Sequence, residues 1–506
     1  MRSVADTGPP PPCPAPFNLA GYVLARAEVQ PDKIALAVLG LSGAERWSYA
    51  RLAAAVLGTA TGLREAGLAK GDRVLLRLGN TVEFPIAFLG AIAAGIVPVP
   101  TSTQLTRREI TTIAGEIAPG AVLGGDAVAM PAHDAPVIGV AALEAMRALP
   151  PSAAVAGDLE RPAYIIYTSG TSGVPRAVVH AHRAVWARRM MWEGWYGLRE
   201  DDRVLHAGAF NWTYTLGTGL LDPWAMGATA LVPKPGFTPA QLPLLLKRHD
   251  ATIFAAAPGV YRQMLAQPVS PMPKLRHGLS AGEKLPGAIR ARWEAATGTP
   301  VHEAFGMSEC STFVSGSPAR PAPSGSLGFP QPGRRLAVVG ETGAPVPIGE
   351  TGILAVHRSD PGLMLGYLGQ PAETAARLRG AWFLTGDAAH MTADGALVYH
   401  GRSDDVMNAG GYRVSPVEVE AALAEHPEVH EAAAAEVAVK ADTTVIAAFY
   451  TAGTELDPAA LSRHMSARLA RYKCPRVFVR VPELPRGANG KLLRRELRTR
   501  HEAENG

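Results

Sequence analysis

The chain has 506 residues, 47% of them hydrophobic and 19% charged, with a formal net charge of +4. That length implies two or three domains, the composition excludes wholesale disorder, and so small a charge excludes a nucleic-acid footprint. Its three cysteines, Cys13, Cys310 and Cys474, are far apart with no C-x-x-C pair, which excludes a disulfide framework and a cysteine zinc site and points to a reducing compartment.

The N-terminal stretch MRSVADTGPPPPCPAPF lacks the apolar segment of a secretion signal, so residues 1–16 read as a disordered or extended proline-rich leader. SYARLAAAVLGTATGLREAG (48–67) has helical periodicity, and RVLLRL (73–78) is a short apolar strand. FPIAFLGAIAAGIVPVP (84–100) falls short of the ~20 residues of a membrane span and is broken by glycine and proline. It reads as a buried helix followed by a strand, with no membrane span and a cytoplasmic location expected. AYIIY (163–167), ATALV (228–232) and TIFAA (252–256) continue the strands, and PAQLPLLLKRHD (239–250) the helices. Such alternation predicts an α/β protein with parallel-rich sheets layered with helices.

After the loop SPARPAPSGSLGFPQPG (317–333) the texture turns β-rich, first in GILAVH (352–357). WFLTGDAAHMTADGALVYHGRSDD (382–405) then holds two strands turning at 393–395. In SPVEVEAALAEH (415–426), Ser415 is the expected N-cap, Pro416 the first helical residue and Glu418 the capping-box acid. A small α+β domain is therefore expected from residue 404, after a core spanning 17–403. The basic run KLLRRELRTR (491–500) reads as the solvated face of a terminal helix.

The stretch YTSGTSGVPRAVVH (167–180) carries the densest chemistry, although it lacks the spacing of the common P-loop. A strand delivers a glycine–hydroxyl loop whose backbone N–H groups can converge on an anion. Gly170 and Gly173 permit close approach, Ser169, Thr171 and Ser172 add donors, and Arg176 adds charge. A flexible surface turn does not explain this concentration of phosphate-binding groups. Cys310, in GMSECS, is a candidate nucleophile for which no histidine partner is suggested.

This loop resembles the signature of the acyl-adenylate-forming (AMP-binding) superfamily, which includes acyl-CoA synthetases and adenylation domains. So do SAGEKL (280–285), FGMSE (305–309), GSLGFPQPG (325–333), TGD (385–387), GRSDDVMNAGGYRVSPVEVE (401–420) and LPRGANGKLLRREL (484–497), in family order. The resemblance spans residues 17–500 and is nearest in character to the benzoate-CoA ligase and medium-chain acyl-CoA synthetase branches. It implies a large N-terminal domain with a β-rich subdomain, a mobile C-terminal domain, and three small molecules: ATP with Mg²⁺, a carboxylic acid and coenzyme A. No nucleic-acid partner is implied, and the resemblance leaves room for a homodimer.

By this resemblance Lys491 bridges the carboxylate and the α-phosphate, Glu309 holds Mg²⁺ and Arg402 contacts ribose or phosphate. Thr168, the 169–173 loop, Arg176 and Ser308 bind phosphate, and Asp387 accepts from the ribose hydroxyls. Ser280, Ala281, Gly282 and Glu283 lie beside adenine. Asn211, Trp212, Tyr214, Ala281 and Gly306 line the acyl pocket. Asp404 is the hinge, Gly411 lines the thiol channel, and Tyr472 and Lys473 approach the nucleotide. Departures are Arg176 for the usual lysine, Ala177 for glycine, Ser172 for threonine, Asn408 for lysine and Gly487 for threonine. An aromatic pocket with a polar group suits an aryl, alicyclic or short to medium branched acid. The expected activity is therefore ATP-dependent carboxylate–CoA ligation through an acyl-adenylate. The alternative is a stand-alone adenylation enzyme loading a carrier protein. A luciferase-like oxygenase and a catalytically silent binding module are the remaining rivals.

Overall fold

The computed structural model describes residues 1–40, 43–125, 128–168, 176–269, 271–403, 405, 407–409, 412–440, 443–469, 471–487 and 492–505. Contacts divide the chain into two compact units. The larger comprises residues 5–335 and 357–378; the other comprises 1–4, 336–356 and 379–506.

The larger unit is built on a nine-stranded sheet. Its core strands run in the order Val301–Met307, His277–Ala281, Ile253–Ala256, Arg203–His206, Thr229–Pro233 and Ile34–Leu39, all parallel. Antiparallel strands close both edges: Ala44–Ser48 on one side, Ser311–Ser315 and Phe329–Pro330 on the other. A four-stranded parallel sheet orders Val97–Pro100, Arg73–Arg77, Ala121–Gly124 and Val137–Gly139. These strands are short apolar runs with both faces covered, the pattern that parallel sheets demand.

The helix Tyr49–Glu65 starts where Ser48 accepts a hydrogen bond from the Arg51 N–H, satisfying one of the free amides of its first turn. It packs on Glu83–Ala94, in which every residue from Phe84 to Ala94 is buried. A helix apolar on all sides belongs in a core, and the strand Val97–Pro100 follows it, as expected from the sequence. No helix among the described residues is long and apolar enough to cross a membrane. The helix expected at 239–250 is instead a 3₁₀ turn, Pro239–Gln241, followed by the α-helix Leu242–Arg248. Proline supplies no N–H, so the two prolines each open a short element.

The other unit has a β-sheet in the order Val4–Asp6, Arg335–Val339, Gly352–His357, Trp382–Met391 and Leu378–Arg379, with Leu397–Arg402 also paired to Trp382–Met391. The proline-rich leader thus begins with a paired strand, and Ser3 is fully buried. A three-stranded sheet of Glu431–Lys440, Thr443–Thr451 and Val477–Arg480 packs with the helices Pro416–Ala424 and Arg494–Asn505. Ser415 caps its helix by accepting from the Glu418 N–H, with Pro416 at the first helical position. The Glu418 carboxylate, however, lies 2.6 Å from Lys473 Nζ rather than closing a capping box, because a cation on a neighbouring element offers it an ion pair.

Among the buried histidines of the larger unit are His180, His182, His206, His277 and His302. Loss of hydration pushes them down to about 4, 3, 3, 4 and 4 from an ordinary 6.5. They are neutral in the fold, whereas the unfolded chain takes up protons once pH falls through 6.5. The stability tied to them is complete above that value and declines toward pH 4, by about 1.4 kcal/mol per pH unit for each proton held only by the unfolded chain. Denaturant midpoints should therefore drop between pH 7 and 4.5; a flat profile would contradict this assignment.

Candidate active site

The strands Pro162–Thr168 and Arg176–Ala181 form an antiparallel pair in which Thr168 faces Arg176. Ser169, Gly170, Thr171, Ser172 and Gly173, the middle of the expected phosphate loop, lie outside the described residues, as do Asp404, Gly411 and Lys491. What flanks the loop is ordered by polar contacts. Arg176 Nη2 lies 2.8 Å from Glu373 Oε2, and its guanidinium carbon sits 5.2 Å over the Tyr367 ring. Tyr367 occupies a short strand paired with Arg176–Ala181 and donates its hydroxyl to Glu309 Oε1 at 2.7 Å.

Ser308 and Glu309 lie on the turn between Val301–Met307 and Ser311–Ser315, closed by the Cys310 N–H on Met307 O at 3.1 Å. Two further backbone contacts fix this turn. Glu309 O accepts from the Met364 N–H at 2.7 Å, and Ser308 O lies 2.8 Å from His180 Nε2. Because burial keeps His180 neutral, one ring nitrogen carries a proton, and facing a carbonyl it is Nε2 that donates. Arg176 and the adjacent pair Ser308 and Glu309, far from it in sequence, are thereby brought into one cluster.

Gly306 precedes the turn at a register shift in the sheet. A Cβ there would fall 2.2 Å from Ser311 O, so the strand pair closes only over a residue without a side chain. Cys310 is fully buried between Asp360 and Arg334, each 3.7 Å from its sulfur. Burial, reinforced by the Asp360 carboxylate, pushes its thiol well above the ordinary value; such a thiol stays protonated and is no nucleophile.

Of the expected acyl-pocket residues, Trp212, Tyr214 and Ala281 gather in one apolar cluster at the carboxyl ends of the parallel strands, where open α/β sheets bind ligands. Tyr214 donates to Leu279 O at 3.1 Å, stacks on Trp195 at 5.6 Å and meets Trp212 edge-on at 5.3 Å. Trp212 lies against Gly282, where a Cβ would come within 2.6 Å of the indole. Ala281 is buried, Asn211 is half-buried, and Glu283 is half-buried beyond Gly282. Ser280 is fully buried in its strand, opposite Ala256 in register. The loop is braced from below by Glu303, which accepts from the Leu285 N–H at 3.0 Å.

Three residues of this region escaped the sequence reading: His180, Tyr367 and Asn80. Asn80 donates to Gly208 O at 2.6 Å and accepts from the Phe210 N–H at 3.0 Å, clamping the backbone ahead of Asn211. None of the three stood out by periodicity or spacing. A cavity of about 420 Å³ lined by Lys70, Arg73, Val97, Arg161, Ile165 and Leu368 lies elsewhere in this unit and holds none of the expected residues.

In the other unit Asp387 and Arg402 face each other across adjacent strands, with Oδ2 and Nη1 3.4 Å apart. Arg402 also donates to Thr385 O at 2.9 Å, and the Tyr399 hydroxyl to Asp387 Oδ1 at 3.3 Å. Lys473 sits on Glu418 as above, and Arg494 grips Glu420 through two bonds of 2.6 and 2.7 Å. The two C-terminal cations are therefore each matched by a carboxylate of the helix Pro416–Ala424.

Residues 23–368 match the family model for the AMP-binding enzyme, and residues 418–491 match that for the AMP-binding enzyme C-terminal domain. The chain is 33% identical to benzoate–CoA ligase of Thauera aromatica, covering 91% of this chain and 92% of that one. It is 34% identical to 4-hydroxybenzoate–CoA/benzoate–CoA ligase of Rhodopseudomonas palustris, covering 89% and 88%. Among solved structures, an anthranilate CoA ligase in complex with anthranoyl-AMP superposes with a TM-score of 0.88 at 27% identity, over 97% of this chain and 98% of that one. A benzoate CoA ligase from Burkholderia xenovorans superposes with a TM-score of 0.85 at 30% identity, over 95% and 100%.

Proposed function

Because the chain belongs to the AMP-binding enzyme family, we propose that it is an AMP-forming acid–thiol ligase that joins an aryl carboxylic acid to coenzyme A through an acyl-adenylate. The observation that carries this reading is the cluster of Arg176, Ser308 and Glu309 in the same unit as the aromatic wall of Trp195, Trp212 and Tyr214. The similarity to benzoate and hydroxybenzoate ligases supports the aryl class.

In the first step a carboxylate oxygen attacks the α-phosphorus of ATP, the bond to the bridging oxygen breaks, and pyrophosphate leaves. Two anions must meet, so preorganised cations lower the barrier most. Arg176 offers a planar fork that can grip the departing phosphates in place of lysine. Lys491 neutralises the carboxylate and α-phosphate as they join, Asp387 takes the ribose hydroxyls as a pure acceptor, and Arg402 supports ribose or phosphate. In the second step the coenzyme A thiol attacks the acyl carbon and AMP leaves. Asp404 acts as the hinge that exchanges Lys491 for the thiol channel at Gly411, dividing the chain functionally at 403/404.

Magnesium fits the donor set. Among the described residues no three His, Cys, Asp or Glu side chains gather as a metal cage, and Glu309 offers one carboxylate whose Oε1 is oriented by Tyr367. That suits an ion held mainly by substrate phosphates and water, which when bound would neutralise phosphate charge. We place the enzyme in the cytoplasm.

The test is pyrophosphate release from ATP over a panel of aryl, alicyclic, branched and linear acids, with and without coenzyme A. Turnover of aryl acids to thioesters only with coenzyme A is expected. Slow release indifferent to coenzyme A would point instead to a carrier-protein acceptor, and turnover restricted to linear acids would refute the aryl assignment.

A further inference from the structure

In the larger unit the strands Arg73–Arg77 and Val97–Pro100 pack against Pro162–Thr168 and Arg176–Ala181, with Leu75, Val99, Ile165 and Ala177 in the apolar core between them. Side chains alternate along a strand, so Arg73 and its register partner Val97 share the faces of Leu75 and Val99. At that end the core is not filled. A cavity of about 420 Å³ remains, floored by Val97, Ile165, Val179 and Leu368, a size at which proteins hold small molecules. Lys70, Ala156 and Pro162 on its rim are exposed, so it opens to solvent.

Every charged residue of its lining is a cation: Lys70, Arg73 and Arg161. Arg73 Nε is buried and has no hydrogen-bond partner, whereas buried polar atoms are almost always paired. Arg161 donates to Phe17 O, Asp158 O and Val155 O at 2.8, 2.6 and 2.7 Å; these carbonyls fix the guanidinium without neutralising it. Burial works against its charge, with the Asp158 carboxylate in partial opposition. Lys70 lays its stem across Gly95, its Cγ 3.2 Å from where a Cβ would stand, and a stem so placed keeps its ammonium in water. Among the described residues no carboxylate comes within ion-pair distance of any of the three.

Three such cations beside an aliphatic floor suit one anionic head on an alkyl chain. The lining has no aromatic side chain on which a ring could stack. It is no phosphate cradle either, because the Gly71 and Gly157 amides are spent on Gly95 O and Phe17 O.

We infer that this cavity is a binding site for a medium-length fatty carboxylate, with the chain on Val97, Ile165, Val179 and Leu368 and the head among Lys70, Arg73 and Arg161. The site shares no residue with the expected active site, so the inference does not depend on the proposed ligase activity, and binding is read without turnover.

The experiment is calorimetric titration of the full chain with decanoate and with decanol, each below its aggregation threshold, in the absence of ATP and coenzyme A. Decanoate should bind at one site, and decanol, which keeps the chain and loses the charge, about 10-fold more weakly or worse. R73Q should weaken decanoate by a comparable factor, K70E by about threefold, and V155W, which fills the cavity, should abolish binding. Absence of decanoate binding overturns the inference, as does equal affinity for decanol. Affinity untouched by K70E, R73Q and V155W alike places decanoate elsewhere on the protein and overturns it too. Lys70 is exposed, so K70E and the decanol comparison decide even if R73Q does not fold.

Discussion

Replacing Lys491 by alanine is expected to slow pyrophosphate release by about 10²–10³-fold, the range seen when one preorganised charge stabiliser is removed from a transition state. The two half-reactions should respond differently. Adenylation forces a carboxylate against a polyphosphate, so a missing ammonium leaves the repulsion unrelieved at the moment the bond forms. Thioester formation from supplied acyl-adenylate and coenzyme A brings a thiol to an activated acyl carbon and needs no such cation. It should therefore proceed within a few-fold of the normal rate. An undiminished adenylation rate removes Lys491 from the mechanism, and equal loss of both steps assigns it a structural or binding role instead.

The largest stability effect is expected from Asp222→Asn. Arg188 and Asp222 form a buried pair, with Nε and Nη2 of the guanidinium 2.9 and 2.6 Å from the two carboxylate oxygens. Tyr196 donates to the same carboxylate at 2.8 Å, and Arg188 Nη1 reaches Ser311 Oγ at 2.6 Å. Burial works against the charged guanidinium, but the Asp222 carboxylate outweighs it and raises Arg188 above its ordinary value. With that charge removed the cation is stranded, which typically destabilises by about 3–5 kcal/mol. Gly217→Ala should act in the same direction, since a Cβ would fall 2.0 Å from Arg188 Cζ and the pinned guanidinium has nowhere to retreat. Denaturant unfolding followed by tryptophan fluorescence reads both variants; a midpoint unchanged for both would refute this account. Ser311 follows the Ser308–Glu309 turn directly, so residual activity of Asp222→Asn should fall further than its folded fraction.

The sheet strands were legible because parallel strands with both faces covered must be short apolar runs bounded by turn residues. Arg73–Arg77, Thr229–Pro233 and Ile253–Ala256 all fall where those runs lie. Asp387 and Arg402 were readable from motifs, and the pairing of their strands across the 393–395 turn followed from the turn signal. Tertiary partnerships were not. That Glu418 turns to Lys473, that Tyr367 orients Glu309 and that His180 holds Ser308 each depend on chain segments brought together by packing, to which local propensity is blind. Asn80 shows the same limit: a lone asparagine after a strand reads as a turn residue until its loop is found clamping another one 130 residues away.

If Arg176 grips phosphate as proposed, its ion pair with Glu373 sets a handicap in that competition. The Glu373 side chain is 51% exposed, and such pairs contribute about 0–1 kcal/mol, equivalent to at most roughly fivefold in an equilibrium constant. On the proposed reading, the guanidinium waits beside the strand end at Thr168, its side-chain freedom already curtailed by Glu373 and the Tyr367 ring, and an incoming polyphosphate has a weak, half-hydrated carboxylate to displace. Resting order and ready capture are reconciled because the latch is weak.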